Sequence, residues 1–214
     1  MMTTVIFDLD GTIADTIEDL ADAVNYGLRQ LDLPEHNIES YKQFVGNGAM
    51  KLCIRALPEG KKDMSEKLLD LFHEYYDVHY LDKTKLYDGI KDTLDVLAAN
   101  GVTLAVATNK PQDAARKIVE KLLPDVPFTK VLGGCDERPK KPDSTVINEI
   151  LNGLSEDNTV YMIGDSNVDI QTAKNCGILS IGCVWGFRGR IELEAAGADF
   201  IAEKAEDITK IILR

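Results

Sequence analysis

The stretch VIFDLDGT, residues 5–12, decides the fold of this chain. Its first three residues form a short apolar run that is typical of a buried strand, and Asp8 and Asp10 follow where that strand ends. In an open parallel sheet, ligands bind beyond the carboxyl ends of the strands. The stretch therefore predicts a first strand that delivers two carboxylates to a binding crevice. Gly11 and Thr12 are predicted to present backbone N–H groups to phosphate oxygens as the chain turns there.

Further apolar runs alternate with helical patterns along the rest of the chain. The runs lie at residues 102–107, 131–132, 160–163 and 178–184, and the helical patterns at residues 89–100, 111–123, 144–151 and 169–176. Short apolar runs punctuated by glycine and proline are typical of buried parallel strands that are joined by crossover helices. We therefore predict an α/β protein with a doubly wound parallel sheet. Pro111 is predicted to lie in the first turn of a helix.

One long segment, residues 16–85, breaks the alternation because it shows helical periodicity and no convincing strand. Its two apolar stripes are Ile17, Leu20, Ala21, Val24, Leu28 and Leu31, followed by Leu68, Leu69, Phe72, Tyr75 and Tyr76. A connection of this length between two strands needs a structure of its own. We therefore predict an α/β core made of residues 1–15 and 86–214, with an α-helical domain inserted at residues 16–85.

The composition excludes several classes of function. The chain has 214 residues, a hydrophobic fraction of 44% and a formal net charge of -12, which argues against a nucleic-acid-binding surface or an anionic-membrane patch. No apolar run approaches the ~20 residues of a membrane span, and residues 1–4 lack the pattern of a signal peptide. The four cysteines form no CxxC pair and are interpreted as reduced thiols. We expect a cytoplasmic protein without nucleic-acid or membrane partners, and its oligomeric state stays open.

Polar side chains follow four of the predicted strands. They are Asp8 and Asp10, Thr108 and Asn109, Lys140 and Lys141, and Asp165 and Asp169. Close carboxylates repel one another unless a cation lies between them, and hard oxygen ligands favour Mg²⁺, which also takes substrate phosphate as a ligand. Each cluster alone has an ordinary alternative, because such residues also form turns, helix caps and solvated charges. Together, at one edge of a parallel sheet, they predict a phosphate-binding metal site.

Four ordered motifs give the chain a resemblance to a known family. They are Asp-Leu-Asp-Gly-Thr at 8–12, Thr-Asn-Lys-Pro at 108–111, Lys-Lys-Pro at 140–142 and Gly-Asp-Ser-Asn-Val-Asp at 164–169. In this order, each after a strand-like run, they resemble the motifs of the haloacid dehalogenase superfamily, and residues 16–85 resemble its C1 cap. Segments 44–49, 55–57 and 184–186 make the chain similar to the phosphoglycolate phosphatases of that superfamily.

The resemblance implies a role for each acid. Asp8 would be the nucleophile and a metal ligand. Asp10 would be the general acid and base, and also a metal ligand through its backbone carbonyl. Asp165 would bind the metal directly, and Asp169 directly or through water. The implied cofactor is Mg²⁺.

The resemblance also implies which residues bind substrate. Thr108 would bind phosphate together with Asn109. Lys141 would hold the phosphate and the nucleophile, with Lys140 as the alternative. The cap loop Gly46-Asn47-Gly48 is predicted to contact the leaving group, because its two glycines allow a close approach.

The function implied by these roles is Mg²⁺-dependent hydrolysis of a small phosphomonoester through an aspartyl phosphate at Asp8. The partner would be a small phosphorylated metabolite, and the cap would close over it about hinges at residues 14–15 and 86–89. Two alternatives stay open. A sugar phosphomutase, similar to beta-phosphoglucomutase, would use the same two aspartates but return the phosphoryl group to a sugar. A non-catalytic binding protein on this fold would have lost the nucleophile or a metal acid.

Overall fold

The structure is a computed structural model, and it describes residues 2–155 and 157–214. Its strands, in chain order, are β1 (Met2–Phe7), β2 (Ala14–Asp15), β3 (Lys85–Leu86), β4 (Thr103–Pro111), β5 (Phe128–Gly134), β6 (Asn158–Gly164), β7 (Leu179–Cys183) and β8 (Phe200–Ala202). A six-stranded parallel sheet has the order β5-β4-β1-β6-β7-β8, and β2 pairs antiparallel with β3. Because β1 lies between β4 and β6, the loops after these three strands open onto one crevice.

Helices cover both faces of the sheet. In chain order they are α1 (Ile17–Gln30), α2 (Ile38–Phe44), α3 (Ala49–Ala56), α4 (Ser65–His79), α5 (Ile90–Ala99), α6 (Gln112–Leu122), α7 (Thr145–Leu151), α8 (Asn167–Cys176), α9 (Gly189–Ala196) and α10 (Ala205–Ile212), with a 3₁₀ turn at Lys62–Met64. One hydrophobic cluster joins the sheet to α5, α6 and α10, and a second joins its other face to α7 and α8.

Alternate residues of β1 supply both of these clusters. Val5 and Phe7 lie in the cluster with α5, whereas Ile6 lies in the cluster with α7. All three side chains are fully buried. A strand that is covered on both faces must be apolar at every position, which is why the sequence shows a continuous apolar run. This arrangement confirms the predicted doubly wound α/β fold.

The sheet differs from the prediction in two places. First, β4 continues beyond residue 107 to Pro111, with an irregular register between Ala107 and Pro111. Pro111 is therefore the last residue of β4 and the N-cap of α6, not a residue of the first helical turn. Second, the sequence patterns do not predict α9, β8 or α10. These short elements have 8, 3 and 8 residues.

The helices α1 to α4 form a cap with a hydrophobic cluster of its own. Most members of the two predicted apolar stripes are buried in that cluster, and Leu31, Leu69 and Tyr75 pack against it from partly buried positions. The strands β2 and β3 pair beside each other where the chain leaves the core and returns to it. These observations support our division of the chain at 15/16 and 85/86, which stays a proposal, as do the hinges there.

Within the described residues, we find no helix with both the length and the apolar composition of a transmembrane span.

Candidate active site

A cavity of about 320 Å³ lies between the carboxyl ends of β1, β4 and β6 and the helices of the cap. Core residues on its wall include Asp8, Asp10, Thr108 and Asp165. The cap contributes mainly apolar and aromatic side chains, among them Leu20, Leu52, Phe72 and Tyr76. A mostly apolar cavity with a few convergent polar groups is the expected place for an active site.

Asp8 follows the last residue of β1 and lines this cavity. Its Oδ1 lies 3.1 Å from Lys141 Nζ and accepts a hydrogen bond from the Leu9 N–H at 2.7 Å. Burial raises the pKa of Asp8 from its ordinary 3.8 to about 6, while Lys141 opposes the shift and the neighbouring Asp169 and Asp10 add to it. The side chain is still 13% exposed, so an incoming substrate can reach the carboxylate.

Three carboxylates, including that of Asp8, lie close together. Asp8, Asp165 and Asp169 each offer an oxygen, and these oxygens all lie within 4.8 Å of one another. Asp165 Oδ2 accepts a hydrogen bond from the Phe187 N–H at 2.7 Å, and Asp169 Oδ2 accepts from the Ser166 hydroxyl at 2.7 Å. Burial raises the pKa of Asp165 well above its ordinary value, because the two other carboxylates also disfavour its charge.

The charge of this cluster fits a divalent cation. Within the described residues, the buried ammonium of Lys141 contacts two of the three carboxylates, those of Asp8 and Asp169. One positive charge against three negative charges leaves an excess that burial makes costly. Oxygen ligands of this number and hardness suit Mg²⁺. Asp10 does not join the cluster through its side chain, and its predicted ligation through the backbone carbonyl stays a prediction.

The two motif lysines have different surroundings. Lys141 Nζ donates to Asp169 Oδ1 at 2.7 Å and to the carbonyl of Ala107 at 2.8 Å. Lys140 instead reaches the cap, where its Nζ would lie 2.6 Å from a Cβ placed on Gly48. The structure thus brings Lys141 into the acidic cluster and places Lys140 against the cap loop.

Asp10 is held by a residue that the sequence analysis did not single out. Lys110 Nζ donates to both carboxylate oxygens of Asp10, at 3.0 and 3.2 Å. Burial by itself would lower the pKa of Lys110, but Asp10 and Tyr76 together outweigh burial and raise that pKa. The missed signal is the period of two along β4, because Lys110 lies two residues after Thr108 and shares its side of the strand.

Thr108 and Asn109 point in different directions from β4. The Thr108 hydroxyl accepts a hydrogen bond from the Lys110 N–H at 3.3 Å. The Asn109 amide donates to the carbonyls of Gly46 and Lys141 at 3.0 and 3.1 Å, and its oxygen accepts from the Lys141 N–H at 2.8 Å. Asn109 therefore ties the lysine loop and the cap to β4, and the predicted phosphate contacts of both residues stay predictions.

The turn after Asp10 uses its own backbone amides, and the predicted phosphate contacts of Gly11 and Thr12 stay predictions. The Gly11 N–H donates to the carbonyl of Ala14 at 2.9 Å, and the Thr12 N–H donates to that of Leu9 at 3.3 Å. Both donors are thus used inside the turn. Gly11 has a φ of +81°, and a Cβ there would lie 2.4 Å from Asp165 Oδ2. The glycine is required because the acidic cluster packs directly against the turn.

The cap loop contributes two glycines to the cavity wall. Gly46 and Gly48 line the cavity, with φ values of +113° and +86° that favour glycine. Asn47 instead accepts a hydrogen bond from Arg55 Nη2 at 2.6 Å within the cap. The predicted role of this loop in leaving-group recognition stays a prediction, and Asn47 can affect it by fixing the loop's shape.

Arg188 connects this loop to the core and was also missed by the sequence analysis. Its guanidinium donates to the Gln43 side chain at 2.6 Å and to the carbonyls of Gln43 and Val45 at 3.2 and 3.0 Å. The preceding residue, Phe187, donates its N–H to Asp165. Two adjacent residues thus contact the acidic cluster and the cap.

Comparisons with known proteins agree with this geometry. The family model of the haloacid dehalogenase-like hydrolases matches residues 5–183. The phosphoglycolate phosphatase of Vibrio parahaemolyticus is 33% identical over 97% of this chain and 95% of its own length. The phosphoglycolate phosphatase of Aquifex aeolicus is 31% identical over 99% of this chain and 97% of its own length.

Solved structures give the same result. A crystal structure from Lactobacillus delbrueckii subsp. bulgaricus has a TM-score of 0.91 and 33% identity, and it covers 98% of this chain and 97% of its own. A predicted phosphoglycolate phosphatase from Haemophilus somnus has a TM-score of 0.88 and 28% identity, with coverages of 99% and 98%. The matched residues include the turn after β1 and the loops that hold Thr108, Lys141 and Asp165. The chain belongs to the haloacid dehalogenase-like hydrolase family.

Proposed function

We propose that this chain is a Mg²⁺-dependent phosphatase that hydrolyses a small phosphomonoester through a phosphorylated Asp8. The observation that carries the proposal is the position of the Asp8 carboxylate, which lies 3.1 Å from Lys141 in a cluster with two further carboxylates. A separate acid, Asp10, lines the same cavity outside that cluster. The site therefore offers a nucleophile, a cation-binding set and a proton carrier as distinct groups.

The proposed substrate class is that of phosphoglycolate and similar small phosphomonoesters. It rests on the names of the relatives, which are phosphoglycolate phosphatases over nearly their whole length. A cavity of about 320 Å³ holds a ligand of this size. Our proposal includes a cytoplasmic location, which fits four free cysteines, and no nucleic-acid or membrane partner, which fits a net charge of -12.

The reaction divides into two steps at these residues. Asp8 attacks phosphorus while Asp10, in its protonated form, gives its proton to the departing alcohol oxygen; the products are the free alcohol, an aspartyl phosphate at Asp8 and the Asp10 carboxylate. Asp10 then takes a proton from the water that attacks this phosphoryl group. The Lys141 ammonium neutralises charge on the phosphoryl oxygens and on Asp8. Asp8, Asp165 and Asp169 would hold Mg²⁺, which would supply further positive charge to those oxygens.

The two alternatives differ from this proposal in their products. A phosphomutase would release little inorganic phosphate and would need a sugar bisphosphate to sustain turnover. A non-catalytic protein would form no phosphoenzyme. The second alternative conflicts with the presence of all four groups, since Asp8, Asp10, Lys141 and Asp165 lie on one cavity or directly behind it.

The proposal is tested by trapping the intermediate. Purified enzyme with Mg²⁺ is quenched during turnover of a phosphomonoester panel, and inorganic phosphate and phosphopeptides are measured. We expect phosphate release and a phosphoryl group on the peptide that contains Asp8. Asp8→Asn should lose both, by about 10³-fold or more in rate. Asp125→Asn, which changes an exposed residue of the α/β domain, should lose neither. A phosphoryl group on another residue, or normal hydrolysis by Asp8→Asn, contradicts the proposal.

A further inference from the structure

Lys110 is a buried charge with no role in the mechanism described so far. Its side chain is only 2% exposed. Lysine is almost never fully buried unless it is paired, since removing an ammonium from water is costly. We therefore expect the ion pair that compensates this charge to contribute either to stability or to function.

The contacts of Lys110 on the core side are made with the proposed acid and base. Its Nζ donates to Asp10 Oδ1 and Oδ2 at 3.0 and 3.2 Å. Its own N–H donates to the Thr108 hydroxyl, which fixes the backbone at the end of β4. A carboxylate held through both oxygens by a buried ammonium has one preferred orientation, because any other orientation would weaken at least one of the two charge-assisted bonds.

The contact of Lys110 on the opposite side comes from the cap. Its Nζ lies 5.0 Å from the ring centroid of Tyr76, a residue of α4. This distance is within the range of a cation–π interaction. The Tyr76 hydroxyl is buried and has no hydrogen-bond partner among the described residues. The contact between Lys110 and Tyr76 forms only where the cap covers the core.

We propose that Lys110 is a positioning residue that orients the Asp10 carboxylate for proton transfer, and that the Tyr76 ring of the cap fixes Lys110 in this position. The proposal deepens the proposed phosphatase function and rests on it. Proton transfer requires the Asp10 carboxyl group to lie within hydrogen-bond distance of the leaving oxygen. A mobile Asp10 side chain would therefore slow the hydrolysis of substrates whose leaving group needs a proton. The cap thus contributes to acid–base chemistry through a residue that does not itself touch the reacting atoms.

The experiment compares substrates that differ in how much protonation they need. Lys110→Met, Lys110→Arg and the exposed α6 control Lys121→Met are assayed with 4-nitrophenyl phosphate, ethyl phosphate and phosphoglycolate. For Lys110→Met we expect kcat/KM to fall by about 10²-fold on both alkyl esters, and by less than about tenfold on the aryl ester, whose leaving group needs little protonation. Lys110→Arg keeps the charge and should recover part of the loss.

A second arm asks whether Lys110 acts through Asp10. In an Asp10→Asn background, Lys110→Met should change kcat/KM by less than about twofold, since the group that it positions has lost its function. Tyr76→Leu should show the leaving-group-dependent loss in weaker form, about threefold to thirtyfold, as expected for one cation–π contact.

Three results would overturn the proposal. Equal losses on all substrates would assign Lys110 a structural role only. A loss confined to phosphoglycolate would mean that Lys110 reads the carboxylate of the leaving group. Additive losses in the Asp10→Asn background would mean that Lys110 acts independently of Asp10. None of these results affects a phosphoryl group found on Asp8 in wild type, so the phosphatase proposal is judged separately.

Discussion

Two buried lysine–aspartate groups share the wall of one cavity, and they differ in charge balance. In the core group, Lys141 lies between Asp8 and Asp169 and a third carboxylate adjoins them. In the interface group, Lys110 pairs with Asp10 alone, under an aromatic ring of the cap. The first group keeps an excess of negative charge, whereas the second is neutral overall.

This difference in charge balance indicates that the two groups have different functions, which the identities of the four acids alone do not reveal. Burial raises the pKa of Asp165 and Asp8, which shows that the fold does not compensate their charge by itself. Such a group is completed by a cation from outside. The pair of Asp10 and Lys110 is already balanced in charge and needs no added cation. In this pair Lys110 can orient Asp10 as the proton carrier.

The largest expected effect comes from removing the metal. Dialysis against EDTA should lower turnover by about 10³-fold or more, and Mg²⁺ should restore it, because the excess negative charge repels a phosphate ester. Mg²⁺ should also raise the melting temperature of the wild type, since it binds only the folded chain. Asp165→Asn should lose most of this increase, whereas Asp125→Asn should keep it.

Full activity in the chelated enzyme would contradict the metal assignment to the core group. Ca²⁺ provides a finer test. Its coordination is looser and higher than that of Mg²⁺, so it should occupy the nucleophile's oxygens and support little turnover. Equal turnover with both ions would show that geometry at Asp8 does not matter.

The interface group predicts the next largest effect, on stability. Asp10→Ala leaves the buried ammonium of Lys110 without its partner, which should lower the free energy of unfolding by about 3–5 kcal/mol. Adding Lys110→Met should recover most of that loss, because the uncompensated charge is gone. Urea unfolding of the wild type, both single variants and the double variant measures the coupling. If the double variant is no more stable than Asp10→Ala, the pair is not an isolated unit.

The core group predicts a pH dependence of stability in the metal-free enzyme. Folding raises the pKa of Asp165 and Asp8, so the folded chain binds more protons than the unfolded chain between the two pKa values. Stability is then greatest below the ordinary pKa of about 3.8 and is lost as the pH rises through the folded value, which for Asp8 is about 6. A change of one in a pKa corresponds to about 1.4 kcal/mol.

Asp165→Asn isolates this contribution from the other acids. The variant cannot ionise at position 165, and its amide oxygen can still accept from the Phe187 N–H. Its melting temperature in EDTA should therefore change less than that of wild type between about pH 5 and about pH 7.5, and it should exceed wild type at the higher pH. If the melting temperatures of both proteins depend on pH in the same way, Asp165 does not contribute to the pH dependence of stability.

The sequence predicts the core group well, for a physical reason. Asp8 and Asp165 directly follow β1 and β6, and parallel strands must bring their carboxyl ends to one edge. These two carboxylates lie close together for that reason. The choice between Lys140 and Lys141 is different, because adjacent residues point apart and only the path of the loop selects one.

The interface group is less visible in the sequence. The contact between Lys110 and Asp10 joins residues that are 100 positions apart, and Tyr76 belongs to a helix of the cap. A lysine near the end of a strand is ordinarily solvated, and nothing in the local sequence distinguishes this one. The same holds for Arg188, whose partners Gln43 and Val45 belong to the cap. Contacts between core and cap depend on how the two pack together, which periodicity does not encode.

The smallest effect is expected at the cap loop. The Asn47 side chain of this loop contacts neither lysine–aspartate group. Its side chain accepts from Arg55, so Asn47→Ala should alter the shape of the loop between Gly46 and Gly48 without touching the acids. We expect the ratio of kcat/KM between phosphoglycolate and 4-nitrophenyl phosphate to change by less than about tenfold, which corresponds to under about 1.4 kcal/mol. The Mg²⁺ dependence should stay unchanged, because the metal acids lie in the core. Asn152→Ala, which changes an exposed residue of the α/β domain, serves as the control and should alter neither the kcat/KM ratio nor the Mg²⁺ dependence. Equal losses on both substrates, or a weaker response to Mg²⁺, would show that the loop acts on the chemistry of the core group and that the division between recognition in the cap and charge in the core does not hold.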